Sequence, residues 1–175
     1  MRRFSILSAL TLVIALTAPA FAEQKIAVFR LGEITAQCDK SLAERDKIEK
    51  TFGNERASLQ QLEDTIRKKS DELRVQASAL SRDAQEDRQA EIIRLQRDYE
   101  DAARILGRKL EVESNRIQEE IIMLVAEATK NYAEKNKIDV VLETTMVVMY
   151  SSPEFDITEP LLLEVNALWK AQGSK

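Results

Sequence analysis

Few residues in this chain could do acid–base or nucleophilic chemistry. Its 175 residues include no histidine, which removes the commonest general base and the commonest metal ligand. The single cysteine, Cys38, has no partner for an intrachain disulfide. It reads first as a small buried apolar residue and second as a redox thiol. There are four glycines and no G-x-x-x-x-G-K-[ST] loop to cradle a phosphate. What remains is carboxylates and one basic triplet, Arg67-Lys68-Lys69. The triplet could touch a phosphate or lipid headgroup. It is flanked by Asp64, Asp71 and Glu72, so it reads first as a solvated helix face. No catalytic residue, metal, cofactor or nucleic-acid partner is expected. With so little reactive chemistry, function must lie in shape and surface, and therefore in the elements that build them.

The first 22 residues are set apart. "MRRFSILSALTLVIALTAPAFA" has two arginines, an apolar run and an A-x-A ending, the pattern of a cleaved secretory signal. The alternative is an uncleaved anchor, for which the apolar run is borderline in length; Pro19 and the small residues before the cut favour cleavage. Cleavage after Ala22 leaves 153 residues of an exported chain. Loss of Arg2 and Arg3 leaves 24 basic against 30 acidic residues, a net charge of −6.

The middle of the chain, 42–124, reads as an α-helical hairpin arm. No proline falls between Ala20 and Ser152. Phe52, Leu59, Ile66, Leu73 and Leu80 recur every seven residues. Ile48, Glu55, Leu62, Lys69 and Gln76 form the second, half-polar row of a thin coiled-coil seam. Ile92, Tyr99 and Leu106, with Ala103, Leu110, Ile117 and Leu124, repeat the pattern on the way back. A tip near 81–85 ("SRDAQ") brings Leu73 opposite Ile92 or Ile93, Ile66 near Tyr99, Leu62 near Ala103 and Leu59 near Leu106. Gly53 and Gly107 interrupt the two limbs, with Gly53 expected opposite about Glu113. They read either as a pivot or as two tolerated glycines, Gly107 making room for Leu59. "IIMLVAEA" (121–128) is apolar on nearly every side, and such a helix is expected to be buried all round.

The discontinuous remainder, 23–41 and 125–175, reads as a small β/α body. "KIAVFRL" (25–31) is a β-type run, and "IDVVLE" and "MVVMY" suggest a hairpin turning at Thr144-Thr145. Thr158 is placed to cap a last helix, with Pro160 in its first turn and Leu161, Leu162, Val165, Leu168 and Trp169 on one face. Three short strands and one helix are marginal alone, and their open edges invite pairing. Several chains pooling their strands is the expected remedy. Alternation puts Ile138, Val140 and Leu142 on one face, and Ile26, Val28, Val148 and Tyr150 complete the candidate oligomerisation set. The expected fold is thus mainly α with a small β body: a long coiled-coil hairpin projecting from a three-stranded β/α oligomerisation module.

In this order the elements resemble the Skp/OmpH family. The residues that carry the resemblance are "KIAVFRLGEI" after the leader, the long hairpin, "IDVVLETTMVVMYSS", and Asp156-Ile157-Thr158 before an apolar helix. The resemblance implies a periplasmic homotrimer whose arms surround a cavity. It implies an ATP-independent holdase that binds unfolded outer-membrane proteins and prevents their aggregation, without catalytic residues. Well-known members are basic, whereas this mature chain is acidic with nearly balanced arms, so no lipid or lipopolysaccharide site is carried over. Candidate client contacts are apolar residues off the seam: Val75, Ala79, Ile93 and Met123. Each reads alternatively as ordinary helix surface or body packing. The rival to a holdase is a structural coiled-coil spacer or adaptor that holds no client.

Overall fold

The computed structural model describes residues 24–145 and 148–173. The expected leader, Met146 and Val147 lie outside them. Strand β1 (Ile26–Phe29) runs into a short helix α1 (Leu31–Gln37). Helices α2 (Asp39–Gln76) and α3 (Arg82–Asn136) form the limbs of an antiparallel hairpin. Strand β2 (Val140–Glu143) and helix α4 (Thr158–Gly173) complete the chain. At 1.5 Å per residue, the 38 residues of α2 span about 57 Å.

The hairpin reverses at Ala77–Ser81, slightly ahead of the expected 81–85 tip. Ala77–Ala79 tighten into a 3₁₀ turn and Leu80 is extended. Ser81 then caps α3, its hydroxyl accepting from the Ala84 amide at 3.3 Å. Residues 82–85 are therefore the first helical turn. Gln85 braces the reversal by donating its side-chain amide to the carbonyls of Ala77 (2.7 Å) and Leu80 (3.2 Å). At the other end α3 stops at Lys137, which sits at φ 53 and donates its amide to the carbonyls of Ala133 and Glu134.

The seam is as thin as its heptads suggest. Phe52, Leu59, Ile66, Leu73 and Leu80 are all half-buried, and Ile92, Leu106, Ile117 and Leu124 are buried beneath them. The polar second row is absorbed by pairing across the seam. Glu55 meets Lys109 at 2.8 Å and Lys69 meets Glu91 at 3.0 Å.

In the body, β1 and β2 pair in parallel, Ile26 with Val140 and Val28 with Leu142, so the whole arm is the crossover between them. Against the three strands expected, the described residues hold a two-stranded sheet; Met146 and Val147 of the expected third run lie outside them, and Val148, Met149 and Tyr150 pair with neither strand within the chain. β1 spends its second edge on the segment before α4, where the Ile157 amide donates to the Val28 carbonyl at 2.9 Å. Ala27 and Phe29 face a core with Ile34, Cys38, Ile117, Ile121, Leu124, Val125, Leu161 and Val165. Leu162, Leu168 and Trp169 pack against its rim, as the helical spacing of α4 requires. The 121–128 stretch is not buried all round: Ile121, Leu124, Val125 and Ala128 are inside, whereas Ile122 and Met123 are exposed.

The Asp-Ile-Thr segment joins the two ends of the chain, and its cap differs from expectation. Asp156 caps α4, its Oδ1 accepting from the Thr158 amide at 2.9 Å and the Thr158 hydroxyl at 2.6 Å. Thr158, 4% exposed, has another duty: its Oγ1 accepts the Arg30 amide at 3.0 Å, pinning the β1–α1 junction. Arg30 also pairs with Asp156 at 3.0 Å. Burial pushes the Asp156 carboxyl up, but the two Thr158 bonds and the Arg30 charge outweigh it and leave it below its ordinary value. Thr158→Ala leaves the Arg30 donor unpaired and is expected to cost about 1–3 kcal/mol. Thermal melting followed by Trp169, the one tryptophan, checks this; an unchanged midpoint contradicts it.

Candidate functional site

Two surfaces stand out on the described residues: the outer face of the sheet and the flanks of the arm. The parallel register puts Ile26, Val28, Val140 and Leu142 on the side of the sheet away from the core. Ile26 and Val140 are each 41% exposed and Leu142 36%, an apolar face with no cover in the single chain. Tyr150 and Met149 stand beside it in sequence, both strongly exposed, with Val148 half-buried. Two residues of the expected oligomerisation set part company with this face. Val28 is already buried within the chain, on the strand edge that the segment before α4 pairs with. Ile138 precedes β2 and packs against the core, so strand alternation does not reach back to it.

On the arm, Val75, Ala79, Ile93 and Met123 are all exposed. Sequence reasoning passed over Ile105 and Val112, which are 53% and 69% exposed. Val112 lies seven residues and Met123 about five turns beyond Ile105, so the three share one side of α3. The signal was present as an apolar spacing outside the heptad rows. Between the helices, Leu59, Leu62, Ala102, Ile105 and Leu106 line an open groove of about 360 Å³, with Asn54, Glu55, Ser58 and Lys109 at its polar margin. The Arg67-Lys68-Lys69 triplet offers no concentrated charge. Arg67 pairs with Asp64 and Lys69 with Glu91, each at 3.0 Å.

Where the arm leaves the body, six charged residues form one network. Lys40 reaches Glu120 across the helices at 2.8 Å, and Arg116 binds Glu113 at 2.6 Å and also Glu120 on its own helix. Glu44 lies 3.5 Å from Lys47 and 3.6 Å from Arg116. The Arg116 hydrogen bonds hold the Glu113 carboxyl below its ordinary value, and the Lys40 hydrogen bond does the same for Glu120. A lowered folded-state value means this stabilisation is complete above the unfolded glutamate range near 4.3 and disappears as pH falls through the lower folded values. The parent is therefore expected to lose more thermal stability between pH 6 and pH 3 than Arg116→Gln does. Equal losses, measured by circular dichroism, contradict the assignment.

Glu55 paired to Lys109 places Gly53 and Gly107 within roughly 6 Å of the same level along the arm. This shifts Gly53 from its expected place opposite Glu113, whose inward position Arg116 satisfies instead. A Cβ added at either glycine meets no atom within 4 Å, so Gly107 is not making room for Leu59. Both helices run unbroken through these positions.

Cys38 is wholly buried between α1 and α2, in agreement with its reading as a packing residue. Among the described residues no cluster of His, Cys, Asp or Glu could hold a metal ion, and no helix is long and apolar enough to cross a membrane.

The described residues thus form an antiparallel helical hairpin raised on a small parallel β/α base, with apolar side chains displayed on both. Residues 25–164 match the family model described as "Outer membrane protein (OmpH-like)", and the chain belongs to that family. It is 25% identical over 155 residues to the "Chaperone protein Skp" of Vibrio cholerae, covering 86% of this chain and 91% of that one. The fold is similar to the crystal structure of a putative OmpH-like outer membrane chaperone from Caulobacter crescentus, with a TM-score of 0.65. That match has 14% identity and covers 83% of this chain and 86% of the other. The family is thus one of chaperones rather than enzymes.

Proposed function

We propose that this chain, exported after removal of its leader, works in the periplasm as a homotrimeric, ATP-independent holdase for unfolded outer-membrane proteins. The observation that carries the reading is the pairing of an uncovered apolar sheet face with a long arm that displays apolar residues, in a chain of the OmpH-like family. The sheet face offers what a shared core needs. Ile26, Val140 and Leu142 from several chains covering one another would remove the exposed apolar area. The arms would then stand around a common space, presenting Val75, Ala79, Ile93 and Met123 as weak, repeated contacts. Many such contacts bind a mobile chain without a deep pocket. Binding lowers the free concentration of unfolded client and so slows its aggregation.

The deciding experiment is dilution of a denatured outer-membrane β-barrel protein into buffer with and without this protein. Suppressed light scattering at about one trimer per client, with no nucleotide added, supports a holdase. Undiminished aggregation supports the spacer reading instead.

Clients of different size require arms that adjust, and the paired glycines are the proposed pivot. Each costs roughly 1 kcal/mol of helix stability relative to alanine, and nothing obstructs an added methyl. Gly53→Ala, Gly107→Ala is expected to raise the melting temperature and to narrow the tip-to-tip distances reported by spin labels near Ala84. A distribution as broad as the parent's, with large clients still held, overturns the pivot.

A further inference from the structure

The groove lined by Leu59, Leu62, Ala102, Ile105 and Leu106 runs along the arm beside the coiled-coil seam rather than in the body. Ser58 and Ala102 line it with short, exposed side chains. Ile105 stands 53% exposed as one wall. One edge is polar: Glu55 and Lys109 meet at 2.8 Å, and Asn54 and Ser58 lie alongside. At about 360 Å³ the groove suits one or two side chains and excludes a folded element. An occupant must have a flat apolar body to lie on the leucine and isoleucine floor, and a polar tip to meet the charged edge. Tyrosine and tryptophan meet both demands. The Lys109 ammonium can also face the ring.

We propose that this mid-arm groove is a subsite for tyrosine and tryptophan side chains of an unfolded client, one subsite on each arm. The inference rests on the holdase reading and adds to it a preference for a chemical class. Barrel strands carry aromatic girdles at both membrane interfaces, so an unfolded barrel offers such side chains repeatedly along its length. Leucine can lie on the floor but offers no hydroxyl or ring N–H to the Glu55–Lys109 pair and no aromatic face to the Lys109 ammonium, which makes it the weaker occupant.

Two ten-residue peptides test the subsite with the full chain, one alternating tyrosine with threonine and one alternating leucine with threonine. The readout is the methyl resonance of Ile105, which forms the groove wall. The tyrosine peptide is expected to shift it in a saturable way, with at least fivefold tighter binding than the leucine peptide. Ala102→Leu places a larger side chain in the groove, with a good helix former, and is expected to weaken tyrosine-peptide binding about tenfold. Lys109→Met keeps the apolar stem and is expected to erase most of the preference for tyrosine over leucine. An unmoved Ile105 signal, or equal binding by parent and Ala102→Leu, overturns the subsite. Failure of the holdase reading would look different: aggregation unsuppressed while the tyrosine peptide still moves Ile105.

Discussion

Val140→Asp is expected to convert the assembled protein to monomer. In the single chain Val140 is 41% exposed, so an aspartate there meets water and costs folding little. In an assembly that covers the outer sheet face, the same carboxylate would be buried beside Ile26 and Leu142 without a cation. A buried unpaired charge costs several kcal/mol. A loss of about 4 kcal/mol raises a dissociation constant roughly a thousandfold. Sedimentation velocity at micromolar concentration decides the matter. A variant that sediments like the parent would show that this face is not the shared one. Helix content should largely persist, because the core under α4 is built within one chain.

Leu161→Ala is expected to strike that core directly. Leu161 is fully buried, packed with Ile34, Cys38, Leu124 and Val165 where α1, α3 and α4 converge. Deleting most of a buried leucine side chain costs about 2–5 kcal/mol, the spread depending on how far the cavity can collapse. Collapse is restricted here, because the Arg30–Thr158 and Asp39–Asn166 hydrogen bonds hold α4 in place at 3.0 Å and 2.9 Å. Trp169 lies on the rim of the same core and reports the loss by fluorescence. Unfolding of the body is expected well before the seam of the arm melts. A change under 0.5 kcal/mol would mean that α4 does not close the core as described.

The arm was legible in the sequence because helical periodicity is local. A residue every seven, with no proline between Ala20 and Ser152, specifies a seam whatever lies around it. The apolar face of α4 was equally plain, from Leu161 to Trp169, and the two limbs lie antiparallel as their paired rows implied, Leu59 and Leu62 lining one groove with Leu106. Even the reversal was displaced by only a few residues, since Ser81 competes better as a helix cap than as a loop residue.

Sequence alone therefore determined the periodic elements, the absence of histidine chemistry and the resemblance to the OmpH-like family. Only the tertiary structure decided how the short pieces combine. Strand pairing joins segments more than a hundred residues apart, and four-residue strands carry no signal of partner or direction, so the parallel β1–β2 pair was invisible. The cap on α4 passed from Thr158 to Asp156 because Thr158 is already the first helical residue, and its hydroxyl accepts from Arg30, 128 residues away. Ile122 and Met123 remained exposed because a helix apolar on every side has no inside until something packs on it, and within one chain only the face bearing Ile121, Leu124, Val125 and Ala128 is covered. The mid-arm groove, likewise, is lined by residues of both limbs and exists only once the two helices lie side by side.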